Sequence, residues 1–143
     1  GGAAPPMTAR GTTASSARAA GSMAEPSPDI QVERTVKGIE AAKDKANGLF
    51  SKGSLEESVR WFSKAIWTAE SGQVAGVPGN LESILHSNRA FAYVKLRKWS
   101  EAEEDCNSAL RLNSQNTKAK YRRAVARLEL EKPDAALEDI NAA

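Results

Sequence analysis

Small residues recur along this 143-residue chain at fixed intervals. Ala46, Ala90 and Ala124 are separated by 44 and 34 residues, and Ser58, Ala102 and Ala136 repeat the same steps, as do Ala65, Ala109 and Ala143. Three registers sharing one pair of steps predict a repeated supersecondary unit of 34 residues. The longer step is one unit plus ten, and the ten residues from Ser71 to Asn80, with three glycines and a proline, read as an inserted loop. Small residues recur in this way where paired helices must approach closely, and large neighbours such as Phe62 and Tyr93 fill the space between crossings.

Periodicity within each unit is helical. All eight aromatic residues fall at or after Phe50. A first helix runs from Val36 and is stopped by Gly53, the usual place for a C-terminal glycine. A second spans Leu55 to about Glu70, with Val59, Phe62 and Ile66 on one face. Leu81 to Leu96, Trp99 to Leu112 and Thr117 to Leu130 give three more. Pro133 suits the first turn of a sixth helix. No segment alternates with period two, so the expected class is all-α.

Composition narrows the function. No apolar run reaches the 18 residues or so of a membrane span. One cysteine, Cys106, excludes an internal disulfide and a cysteine-based zinc site, and one histidine, His86, makes paired-histidine metal chemistry unexpected. No cofactor is expected. The net charge of +2 is carried by Arg10 and Arg18, since the other 18 basic side chains are balanced by 18 acidic ones, all in residues 25–143. A balanced folded part is a poor general nucleic-acid binder. No glycine-rich phosphate loop or nucleophile–base pair is present, so no enzyme is expected.

Residues 1–33 hold four of the ten glycines, four of the six prolines and no aromatic residue, and read as a disordered leader or tail. From Met7 the stretch weakly suggests an organelle transit peptide, whereas Gly21-Ser22-Met23 suggests an appended leader before a start methionine. The folded domain is expected over 34–143.

The helix–turn–helix period resembles that of the tetratricopeptide repeat (TPR). On that resemblance the repeats are 39–72, 83–116 and 117–143, with the insertion at 73–82. The third holds 27 of 34 residues and lacks a polar capping helix, so the chain reads as a fragment in which Leu137 and Ile140 want cover. The resemblance implies a right-handed superhelix of three repeats whose odd-numbered helices line a concave groove.

The segments KDKAN at 43–47, SNRAFAY at 87–93 and KAKYRRA at 118–124 are further similar to the dicarboxylate-clamp TPR domains of co-chaperones. In that subset the first helix supplies a Lys and an Asn four apart, matched by Lys43 and Asn47. The third supplies an Asn before an Arg, matched by Asn88 ahead of Arg89. The fifth supplies Lys and Arg four apart, matched by Lys118 and Arg122. Residues four apart share a helix face, so each pair presents two polar groups together. Stacked odd helices would bring three cations and two amides into one concavity, a socket for two nearby carboxylates. Lys95 and Arg123 are auxiliary candidates.

The resemblance implies a monomeric adaptor that captures the acidic C-terminal Glu-Glu-Val-Asp tail of Hsp90 or Hsp70 in the cytoplasm, with nuclear or organelle-surface association open. The alternative is a TPR scaffold for another acidic or extended peptide. Packing roles are expected for a buried Cys106 and for Trp61, Trp67 and Trp99, and a packing or groove-wall role for His86.

Overall fold

A computed structural model describes residues 24–130 and contains five helices there, with no strand among the described residues. They are α1 (Val36–Ser51), α2 (Leu55–Glu70), α3 (Gly79–Lys95), α4 (Trp99–Leu112) and α5 (Thr117–Glu129). The sixth expected helix, with Pro133, Ala136, Leu137, Ile140 and Ala143, lies outside the described residues, as does the leader up to residue 23.

Local chemistry sets the helix ends. The Thr35 hydroxyl accepts from the Gly38 N–H at 2.9 Å and caps α1, and the Asn116 side chain accepts from the Ala119 N–H at 3.0 Å and caps α5. Glu56 and Glu57 sit in the first turn of α2, where a carboxylate complements the helix dipole. Gly53 ends the first helix with φ +83°. The equivalent position one longer step on is Arg97, which adopts the same left-handed backbone at φ +60°. Helix α3 starts at Gly79, two residues before the expected Leu81, because the Pro78 carbonyl accepts from both Leu81 and Glu82. The inserted loop is correspondingly shorter.

The helices pack in sequence, each against the next, and α3 also touches α1 and α5. The odd-numbered helices therefore lie side by side. Ala46, Ala65, Ala90, Ala102, Ala109, Ala124 and Ser58 are all essentially inaccessible, so the repeating small residues are the helix crossings. At the first crossing the Ser58 hydroxyl donates to the Ala46 carbonyl at 2.8 Å. A first core gathers Ile39, Phe62, Ile66, Leu81 and Leu85, with Val74 and Val77 of the loop packed on it. Among the described residues a second gathers Ala90, Cys106, Ala109 and Ala119, with Leu110 against it.

The sequence-based boundary between leader and domain needs correcting. Residues 24–33 are not a loose leader but an arm laid on α2. Ile30 is buried, Asp29 pairs with Arg60, and Glu25 pairs with Lys64. Composition misses this because the arm is held by individual ion pairs and by two apolar residues, Ile30 and Val32, rather than by a run of apolar sequence.

Candidate functional site

The side chains singled out in the sequence fall on three neighbouring helices. Asn47 on α1 and Asn88 on α3 meet directly, the Asn88 amide donating to the Asn47 Oδ1 at 3.2 Å. Lys43 lies one turn before Asn47, half-buried, with its Nζ 3.5 Å from the exposed carboxylate of Asp44. On α5, Arg122 donates from Nη1 to the carbonyl of Ser87 at 2.9 Å, which ties it to the residue preceding Asn88. Its guanidinium also lies 4.2 Å from the centroid of Phe91 on α3. Phe91 in turn packs against Phe50 of α1 at 4.8 Å between centroids. A continuous run of contacts thus joins α1, α3 and α5.

Lys118 and Arg122 line one side of a cavity of about 340 Å³. Phe91 and Val94 of α3 form its other wall, and Tyr121 and Val125 contribute apolar surface from α5. Neither Lys118 nor Arg122 forms an ion pair with a described residue. Burial pushes the Arg122 guanidinium below its usual value, an effect that nearby Cys106 partly offsets. A half-buried cation held by a carbonyl and a ring face has lost water without gaining an anion, which favours a carboxylate beside it.

The two auxiliary candidates separate. Lys95 places its Nζ 5.4 Å from the Phe91 centroid and stays at the groove. Arg123 does not. It donates to Asn107 Oδ1 on α4 at 2.9 Å, on the side of α5 away from Phe91, so it braces a helix pair. Consecutive helix positions point about 100° apart, and only one of Arg122 and Arg123 can face the groove.

Behind the groove lies an array that sequence reading did not assemble. His86 is buried and bonded on both ring nitrogens, Nδ1 to Asp105 Oδ1 at 2.9 Å and Nε2 to Glu70 Oε2 at 2.7 Å. Arg89 grips Asp105 through Nε and Nη2 at 2.7 and 2.8 Å and donates to the Ser63 hydroxyl at 2.9 Å. Two carboxylate acceptors require both imidazole nitrogens to donate, so His86 is an imidazolium. Burial opposes that charge, but the bonds from Asp105 and Glu70 outweigh it and raise its pKa to about 9. Burial likewise opposes the Asp105 carboxylate, yet Arg89 and His86 hold it below its ordinary range. Glu82 sits at the edge of the array. Burial, then the neighbouring Glu70, raise it to about 7. The array joins α2, α3 and α4 and balances two positive charges with two negative ones. The adjacency of Arg89 to Asn88 was its only sequence signal, since Asp105 and Glu70 lie 16 residues or more away along the chain.

Among aromatic residues, Trp67 is buried and Trp61 packs on the first core with Lys45 over its ring. Cys106 is buried in the second core. No group of three or more metal-binding side chains occurs among the described residues, and no helix there is long and apolar enough to cross a membrane.

Comparison with known proteins follows the same geometry. No protein-family model matches the chain. Among curated proteins it is 33% identical over 124 residues to the mitochondrial import receptor subunit TOM70 of Rattus norvegicus, covering 87% of this chain and 20% of that protein. It is 37% identical over 97 residues to the human RNA polymerase II-associated protein 3 (RPAP3), covering 68% of this chain and 13% of that one. The chain therefore spans a fifth or less of the length of these relatives. Among solved structures, the second TPR of Spaghetti (RPAP3) bound to the HSP90 peptide SRMEEVD matches with a TM-score of 0.63 at 35% identity, covering 72% of this chain and 86% of that one. The Arabidopsis OM64 TPR domain matches with a TM-score of 0.66 at 27% identity, covering 75% and 80%. The second TPR domain of human RPAP3, solved with the HSP70 peptide SGPTIEEVD, matches at 0.60 and 36% identity. With five stacked helices, small residues at every described crossing and these neighbours, the chain belongs to the tetratricopeptide-repeat family, among TPR domains like those solved with Hsp90 and Hsp70 tail peptides.

Proposed function

We propose that the concave face formed by α1, α3 and α5 is a carboxylate clamp for acidic C-terminal tails of the Glu-Glu-Val-Asp type carried by Hsp90 and Hsp70. The observation that carries this reading is the contact run from Asn47 through Asn88 and Ser87 to Arg122, with Lys118 one turn away. It brings amides from α1 and α3 together with two cations of α5 that form no ion pair with a described residue. Lys43 and Asn47 flank one end, and Lys118 and Arg122 the other. The terminal carboxylate and the aspartate side chain would each find a cation and an amide. The TPR neighbours solved with such peptides support the same occupant.

The module works by binding, without chemistry. His86 is the best acid–base group in the chain, but its two nitrogens are both engaged and it is sealed from solvent. Charge-assisted hydrogen bonds contribute about 1.5–3 kcal/mol each. Four or five of them, set against association costs of about 4–15 kcal/mol, give an affinity on the order of micromolar, about −8 kcal/mol. The domain acts as a monomeric adaptor in the cytosol or at the cytosolic surface of an organelle, tethering a chaperone to whatever lies elsewhere in its protein.

The decisive experiment titrates a Glu-Glu-Val-Asp peptide with a free C-terminal carboxylate against its amidated form, by calorimetry. Amidation is expected to weaken binding at least tenfold, and Lys118→Glu to abolish it. Equal affinity for the two peptides, or undiminished binding by Lys118→Glu, refutes the clamp.

A further inference from the structure

Helix α2 carries a second basic pair at the same spacing as Lys118 and Arg122. Arg60 and Lys64 lie four residues apart on its outer face, with Trp67 three residues further on, and the arm formed by residues 24–33 is laid across them. Lys64 is 3% exposed, unusual for a lysine, and every described hydrogen bond of its Nζ goes to the arm. It meets the Glu25 carboxylate, the Pro26 carbonyl at 3.1 Å and the Ser27 carbonyl at 3.4 Å. Its ammonium also stands 5.2 Å from the Trp67 centroid, and Arg34 approaches the same ring at 5.8 Å. Arg60 spends Nη2 on both Asp29 oxygens at 2.6 and 2.7 Å and Nε on the Ser27 hydroxyl at 3.1 Å, while Glu57 takes Nη1. Ile30, just beyond Asp29, is buried.

We infer that the outer face of α2 at Arg60, Lys64 and Trp67 is a second docking surface for an acidic segment of a partner protein, held closed by this chain's own arm. The arm defines what fits: a stretch with two carboxylates four residues apart, proline and a turn between them and an apolar residue after the second.

The arm is exchangeable for a segment of like chemistry. The Asp29 carboxylate is 66% exposed and its pair with the part-exposed Arg60 holds weakly, whereas the buried Lys64 holds Glu25 more firmly and releases it only when another carboxylate takes its place. Ser27 is kept at φ +43°, a left-handed conformation unfavourable for a residue with a Cβ, so a segment that meets the same cations without that kink binds better. The surface lies on α2, which is not one of the three helices that carry the groove residues, so the two sites share no side chain.

The test uses the full chain and a labelled peptide with the sequence of residues 24–33. Glu25→Lys with Asp29→Lys releases the arm. The released variant is expected to bind the peptide at least tenfold more tightly than the unaltered chain, and to lose that binding when Lys64→Glu is added. A peptide with Gln and Asn at the two acidic positions should not bind. In the unaltered chain, excess peptide should speed amide hydrogen exchange in residues 24–33, a readout that does not depend on any variant folding. Equal binding by the unaltered and released chains, binding that survives Lys64→Glu, or an arm whose exchange ignores the peptide overturns the inference. So does sedimentation showing that the arm pairs two copies of the chain.

Discussion

Arg97 shows how a single residue can carry a cost that its repeat partner avoids. It holds the left-handed turn between α3 and α4 that Gly53 holds between α1 and α2. A side chain there costs about 1–2 kcal/mol, less the extra chain entropy that glycine loses on folding. Arg97→Gly is therefore expected to stabilise the domain by roughly 0.5–1 kcal/mol, read as a higher urea midpoint with an unchanged slope. Gly38 is the opposite case. A Cβ at that position would meet the Glu33 carbonyl oxygen at 2.1 Å, where the arm turns into α1. Gly38→Ala should lower stability by about 1–3 kcal/mol, a cost typical of overpacking. In the groove, Phe91 supports Arg122 from below. Phe91→Ala should weaken binding of the free-acid tail peptide about 2- to 30-fold, the range of one cation–π contact, while amide exchange shows the fold intact.

Between elements, the array of Glu70, His86, Arg89 and Asp105 fastens the first hairpin to the second. Removing Asp105 takes the carboxylate from the part-buried Arg89 and leaves the buried His86 with Glu70 alone, so Asp105→Ala is expected to cost about 3 kcal/mol in denaturation experiments. The same array sets a pH dependence. His86 has its pKa raised from 6.5 to about 9, so its contribution is complete below 6.5 and lost as pH rises through 9. Glu82 is raised from 4.5 to about 7, so folding is progressively less favourable across that interval as the carboxyl must ionise. Asp105 is lowered, and its contribution fades only as pH falls below the ordinary carboxylate range. The urea midpoint should thus fall between pH 5 and pH 9, and Glu82→Gln should flatten the acidic half of that decline. None of this was legible in the sequence. Helix positions and crossings were, because helical periodicity and repeat register are local arithmetic, and the five groove candidates were named by resemblance of short segments. A salt-bridge array drawing on three helices follows no such period, and neither does an arm held by Glu25 and Asp29. The outward turn of Arg123 could have been read from its one-residue offset from Arg122.

For the molecule as a whole, the proposed groove would read charge, and charge is screened. Affinity for the acidic tail is expected to fall steadily from 0.05 to 0.5 M salt, as the Debye length contracts from about 14 Å towards 4 Å. The two cores behave differently behind that groove. The first is filled by Phe62, Ile39 and Leu85 and locked by buried ions, whereas the second, among the described residues, gathers alanines and one cysteine with Leu110 against them. In the proposed clamp, one side, with Lys43, Asn47 and Asn88, is thus backed by large buried side chains, and the other, with Lys118 and Arg122, by small ones among the described residues.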